Sequence, residues 1–101
     1  MTPINAVKAE GTHYHQINVI ASPNQLKKVL GNEFENKAQE NVKYLWTLEN
    51  DFGDVVTIYD FKHPNRNNID YAANLQHFHI GAFTQEAAER TQKEINKQLN
   101  N

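Results

Sequence analysis

The stretch Val42–Phe61 constrains the fold more than any other part of the chain. Val42, Tyr44, Trp46 and Leu48 alternate with Lys43, Leu45, Thr47 and Glu49. A period of two places one aromatic-rich side of a strand against a core. NDFGD follows, with Gly53 able to take the positive φ that closes a short loop. The return segment, VVTIYDF, is β-branched and aromatic. The spacing therefore predicts an antiparallel hairpin over about 42–61 with Tyr44 and Trp46 in the core.

The flanks supply what such a hairpin needs to be stable. Thr12–Ala21 reads as a strand, with His13, His15, Ile17 and Val19 on one side and Tyr14, Gln16, Asn18 and Ile20 on the other. Ser22 then caps a short helix over about 22–30. Pro23 fits its first position, Gln25 completes a capping box, Leu26, Val29 and Leu30 share a stripe, and Gly31 stops it. Gln76–Ala82 reads as a further strand. Thr84 caps a last helix, about 84–99, with Ala88, Thr91, Ile95 and Leu99 along one side.

The rest is less patterned. Residues 32–41 are polar and fit either a solvated loop or one or two helical turns through Phe34 and Ala38. Lys62–Leu75 reads as a long loop with a helical turn at 69–75, and long loops in small domains are often functional. Residues 1–11 read as a flexible N-terminal arm. The expected organisation is thus one globular α+β domain over 12–101, a small antiparallel sheet packed by a short helix and a C-terminal helix.

Composition bounds the partners. A chain of 101 residues, 39% apolar, supports a single modest core. Its formal charge of −2 removes the simplest case for direct nucleic-acid binding. Arg66 and Arg90 are its only arginines, so bidentate phosphate clamps are few. Cysteine is absent, which suits a reducing cytoplasm and excludes thiolate metal sites. No apolar run approaches the ~20 residues of a membrane span, and Met1–Gly11 lacks the apolar stretch of a secretory signal.

Two His-x-His pairs, His13/His15 and His77/His79, have the spacing that aims two imidazoles from one strand at a single metal. His63, Asp60 and Asp70 are the candidate further ligands. Alternation points the two pairs to different sides, and neither continues into the patterns of histidine-triad hydrolases or small phosphoesterases. No Gly-x-Ser-x-Gly elbow or Gly-rich phosphate loop is present. Asp51 and Asp54 flank Gly53, where turn chemistry accounts for them more economically than a cation. The segment Thr57–His63 is different in kind. It leaves the hairpin with Tyr59, Asp60, Lys62 and His63 close together, next to the Asn-rich loop around Arg66, and a neighbouring third strand brings His79 within reach. A tyrosine face with directional polar groups suits a nucleotide-sized ligand or a protein surface. The competing structural reading is a local Asp60 pair that pins the loop.

The elements Trp46, Gly53, Thr57-Ile58-Tyr59-Asp60, Lys62 and His79-Ile80-Gly81 form a signature across Val42–Ala82. That stretch resembles a group of small bacteriophage proteins, mostly without assigned function. The resemblance implies phage origin, expression in the cytoplasm of an infected bacterial host, and action by binding, with counter-defence as one such role. It carries no activity or cofactor. The first third of the chain, with its His13/His15 strand, lies outside it.

Together these readings lead to a non-enzymatic phage accessory protein that binds a host protein or a small nucleotide stoichiometrically. Tyr59, Asp60, Lys62, His63, Arg66 and His79 are the expected contact residues. No cofactor is implied, and the narrow apolar stripe of the last helix leaves room for a homo-oligomer. The alternatives are a metal-dependent hydrolase using His77, His79 and Asp60, and a virion or assembly component.

Overall fold

The computed structural model describes residues 1–31, 42–61 and 69–100. Strand β1 is Thr2–Pro3, β2 His13–Ala21, β3 Leu45–Glu49, β4 Val55–Tyr59 and β5 Gln76–Ala82. Helix α1 spans Pro23–Leu30 and α2 Gln85–Leu99. The strands form one antiparallel sheet in the order β1-β3-β4-β5-β2. This is an α+β fold in which β2 to β5, α1 and α2 fall within a few residues of the sequence expectation, whereas β1 arises in the stretch read as a flexible arm. Among the described residues, no helix is long and apolar enough to cross a membrane. The expectations for residues 32–41 and 62–68 lie outside the described residues.

Local chemistry accounts for each element. The β3–β4 hairpin pairs Leu45 with Tyr59 through to Glu49 with Val55. Its loop is held by the Asn50 side chain, whose Oδ1 accepts from the backbone N–H groups of Phe52 and Asp54 at 3.0 and 2.9 Å. Gly53 takes φ +83° there. Asp54 receives two hydrogen bonds from the Arg90 guanidinium, at 2.9 and 3.0 Å, and one from Asn50 Nδ2. These bonds occupy Asp54 as a structural anchor for α2, so Asp51 and Asp54 do not act together on a cation. Ser22 and Gln25 form the reciprocal capping box of α1. Trp46 Nε1 donates to the Gly31 carbonyl at 2.9 Å, fastening the end of α1 to the sheet.

Both helices pack on one face of the sheet. Trp46, Leu48, Val56, Ile58, Phe78 and Ile80 point there and are almost wholly buried with Leu26 and Ile95. Each such side chain contributes about 1.5–3 kcal/mol on leaving water. The first eleven residues join the fold more closely than a free arm would. Thr2 and Pro3 pair with Glu49 and Leu48, and Ile4 N–H donates to the Thr47 carbonyl at 3.1 Å. A short 3-10 turn, Ala6–Ala9, then carries the chain from the β1 edge toward β2 at the other edge. It contacts β4 on the way. That crossing covers part of the face that the helices leave open, and Thr47 is buried beneath it.

Strand β2 departs from simple alternation. Tyr14 pairs with Gly81 and Asn18 with His79, so three residues of β2 stand opposite the single residue Ile80. Gln16, at the middle of this bulge, has φ +64°. Sequence alternation carried His13, His15, Ile17 and Val19 along one face. The bulge interrupts that run, which is why the pattern holds only on either side of it.

Candidate functional site: the uncovered sheet face

Paired residues in a sheet share a face. The register therefore defines rows across the side away from the helices. One row is Leu45, Tyr59, His79 and Asn18, and the next outward contains His77 and Ile20. On the inner side lies Thr47, Thr57, Gly81 and Tyr14, partly roofed by the N-terminal crossing. Gly81 keeps that row close: a Cβ added to it would stand 2.3 Å from Thr57 Oγ1 and 3.5 Å from the Tyr59 ring.

His79 is the centre of an aromatic cluster. Tyr14 stacks on it with ring centroids 3.9 Å apart and planes within 7°. Tyr59 meets it edge-on at 5.4 Å, and Phe61 approaches at 5.9 Å. Tyr14 donates its hydroxyl to Asn18 Oδ1 at 2.8 Å, a bond that bridges the bulge and fixes the ring. Burial among these rings lowers the His79 pKa below the usual imidazole value, and neighbouring His77 adds to the effect. Burial likewise raises the Tyr59 pKa, with a further contribution from Tyr14. Near neutral pH the cluster thus presents uncharged ring faces with a phenol and an imidazole as polar groups.

The structure brings together only part of the expected contact set. Tyr59 and His79 do share one surface. Asp60 does not: alternation turns it to the helix side, where it is buried. Its Oδ1 accepts from the backbone N–H groups of Lys43 and Tyr44 at 2.9 and 2.8 Å, and its Oδ2 accepts from the Tyr71 hydroxyl at 2.5 Å. Asp60 therefore pins the 3-10 turn Tyr71–Ala73 to the base of the hairpin, and it is removed from the contact set. Lys62, His63 and Arg66 lie outside the described residues.

The hydrolase set fails on the same geometry. His77 and His79 face one side and Asp60 the other, so the three do not converge. Among the described residues, no three His, Asp or Glu side chains are placed to hold a metal ion. His13 lies opposite Ala82 in the register of the helix-covered face, so the two His-x-His pairs are on different faces, as alternation indicated. His15 Nε2 hydrogen-bonds to the Ala82 carbonyl at 3.0 Å.

Tyr14, Phe61 and Asn18 were not singled out by sequence reasoning. Phe61 was legible in principle, two residues beyond Tyr59 and hence on its side. Tyr14 was not, because its partner depends on a bulge at a residue, Gln16, that has no special tendency toward positive φ. Compared with protein-family models, with curated proteins and with solved structures, the chain finds no match.

Proposed function

We propose that the protein is a non-enzymatic binding module that engages its partner stoichiometrically through the uncovered sheet face around His79. The observation that carries this reading is the joining of Tyr14, Tyr59, Phe61 and His79, from three separated stretches of chain, into one aromatic surface. An aromatic cluster outside the core supports recognition, because ring faces give large contact area with few rotamers to immobilise. Asp60, the one acid expected beside Tyr59 and His79, is tied up in the fold, which favours binding over acid-base chemistry at this place.

The resemblance of Val42–Ala82 to small bacteriophage proteins supports a setting inside an infected bacterial cell, with counter-defence as the role. A host protein suits the surface better than a nucleotide. The described part of the face offers no arginine or lysine for phosphates, and the formal charge of −2 gives no long-range attraction.

Native mass spectrometry of the protein recovered from infected cells tests the reading. The expected spectrum contains a complex with a host polypeptide in fixed ratio. Recovery of the protein with no bound macromolecule, or with turnover of a small substrate, would overturn it.

A further inference from the structure

The chain carries two His-x-His pairs of identical spacing, and the fold treats them differently. His79 is committed to the aromatic cluster, its ring against Tyr14, Tyr59 and Phe61. His13 and His15 lie against each other instead, with ring centroids 4.2 Å apart and planes at 43°. Side chains two residues apart on a regular strand stand about 7 Å apart, so these two rings lean together.

The bulge in β2 accounts for the closeness. Ahead of it, alternation sends Tyr14 to the uncovered face and its two histidine neighbours to the other. His15 borders the bulge, where the strand bends. Its imidazole reaches the carbonyl of Ala82, which is the register partner of His13. Both side chains are thereby drawn to one position of β5.

The hydrogen bonding leaves His15 a lone pair to offer. A carbonyl oxygen only accepts, so Nε2, 3.0 Å from the Ala82 oxygen, carries the proton of the neutral ring and Nδ1 is bare. An imidazole held through one nitrogen by a backbone carbonyl is the usual state of a metal-ligating histidine. His13 Nδ1 stands 3.5 Å from the Gly11 carbonyl oxygen. That ring is exposed and can turn between rotamers at little cost. An imidazole centroid stands about 3.2 Å from a metal that its nitrogen ligates at about 2.0–2.1 Å, so two cis ligands place their centroids about 4.5 Å apart. The 4.2 Å found here is close to that span.

We propose that His13 and His15 chelate a divalent late first-row transition ion, Cu(II) in preference to Ni(II) or Zn(II). Imidazole nitrogens suit all three, and affinity at a given site peaks at Cu(II). Among the described residues no third His, Asp or Glu joins the pair. Water therefore fills the remaining positions, and the ion is exchangeable. The site is separate from the His79 surface and does not depend on the binding function proposed for it.

Titration of the untagged full chain with Cu(II) and with Zn(II), by calorimetry and Cu(II) electron paramagnetic resonance, tests the proposal. The parent should take up one equivalent of Cu(II), more tightly than Zn(II), with a spectrum showing two imidazole nitrogens. His13→Ala and His15→Ala should each weaken uptake at least about tenfold, since one imidazole alone does not chelate. His77→Ala, which breaks the pair of equal spacing, should bind as the parent does. Thermal melts check that the variants fold, and the exposed His13 provides a reading independent of any structural part His15 plays. A dissociation constant for Cu(II) weaker than about 100 µM would overturn the proposal. So would parental binding by folded His13→Ala, or an equal loss in His77→Ala.

Discussion

The Tyr14 ring lies flat on the His79 imidazole, with centroids 3.9 Å apart and planes 7° from parallel. Tyr14 and His79 belong to neighbouring strands, yet they are not register partners. The bulge centred on Gln16 changes the phase between β2 and β5 and lets the Tyr14 hydroxyl reach Asn18 across it. Everything attributed to the uncovered face depends on this junction and on the pairing of Tyr59 with His79.

His79 should titrate below the ordinary imidazole value of 6.5, because burial disfavours its charged form. A pKa that is lower in the folded than in the unfolded chain means that the unfolded chain binds the proton more readily. The contribution of His79 to stability is therefore complete above pH 6.5 and is lost as pH falls through the folded-state pKa. NMR titration of the imidazole checks the midpoint. In Tyr14→Ala the midpoint should rise back toward 6.5, since the covering ring is gone.

Gly81→Ala should destabilise the fold by about 1–3 kcal/mol, because the new methyl would collide with Thr57 Oγ1 inside a paired row. Chemical denaturation measures this directly. Combining it with Thr57→Ala, which removes the colliding oxygen, should recover a substantial part of the loss.

Asp60 holds the base of the hairpin to the Tyr71 turn. Asp60→Ala leaves two backbone donors and the Tyr71 hydroxyl without their acceptor, at a cost of about 2–4 kcal/mol. Tyr71→Phe removes one of those bonds and should cost about 1–2 kcal/mol. Because Asp60 is buried away from His79, a binding defect in either variant should track the loss of folded protein and not exceed it.

The hairpin and both helices were legible because their signals are local: alternation, a glycine turn, a capping box and a helical stripe. Asp60 shows where local reading ends. Proximity in sequence to Tyr59 placed it in the same patch, but adjacent residues of a strand face opposite ways, and its donors come from segments 11 to 17 residues away. Strand β1 left no trace because two residues, Thr2 and Pro3, are too few for a period. Their pairing is fixed by the tertiary position of Thr47 and Leu48. Tyr14 was missed for a related reason, since its neighbour depends on the bulge.

The Asp54–Arg90 pair should show in acid. The Arg90 hydrogen bonds hold the Asp54 carboxyl below its ordinary value of 3.8, outweighing the opposing effect of burial. A lowered carboxylate pKa gives stability that is present above 3.8 and is lost as pH falls through the folded value. Acid denaturation of Arg90→Ala should therefore begin at higher pH than that of the parent. In Asp54→Asn this component of the pH dependence should be absent.

The central claim is that the Tyr59–His79 face is what the protein binds with. The most direct measurement is the occupancy of the recovered host complex in native mass spectrometry, comparing the parent with Tyr59→Ala/His79→Ala and with Lys93→Ala on the exposed side of α2. With thermal melts showing all three folded, the double variant should lose the complex while Lys93→Ala retains it. Retention of the complex by the double variant at parental occupancy would contradict the account.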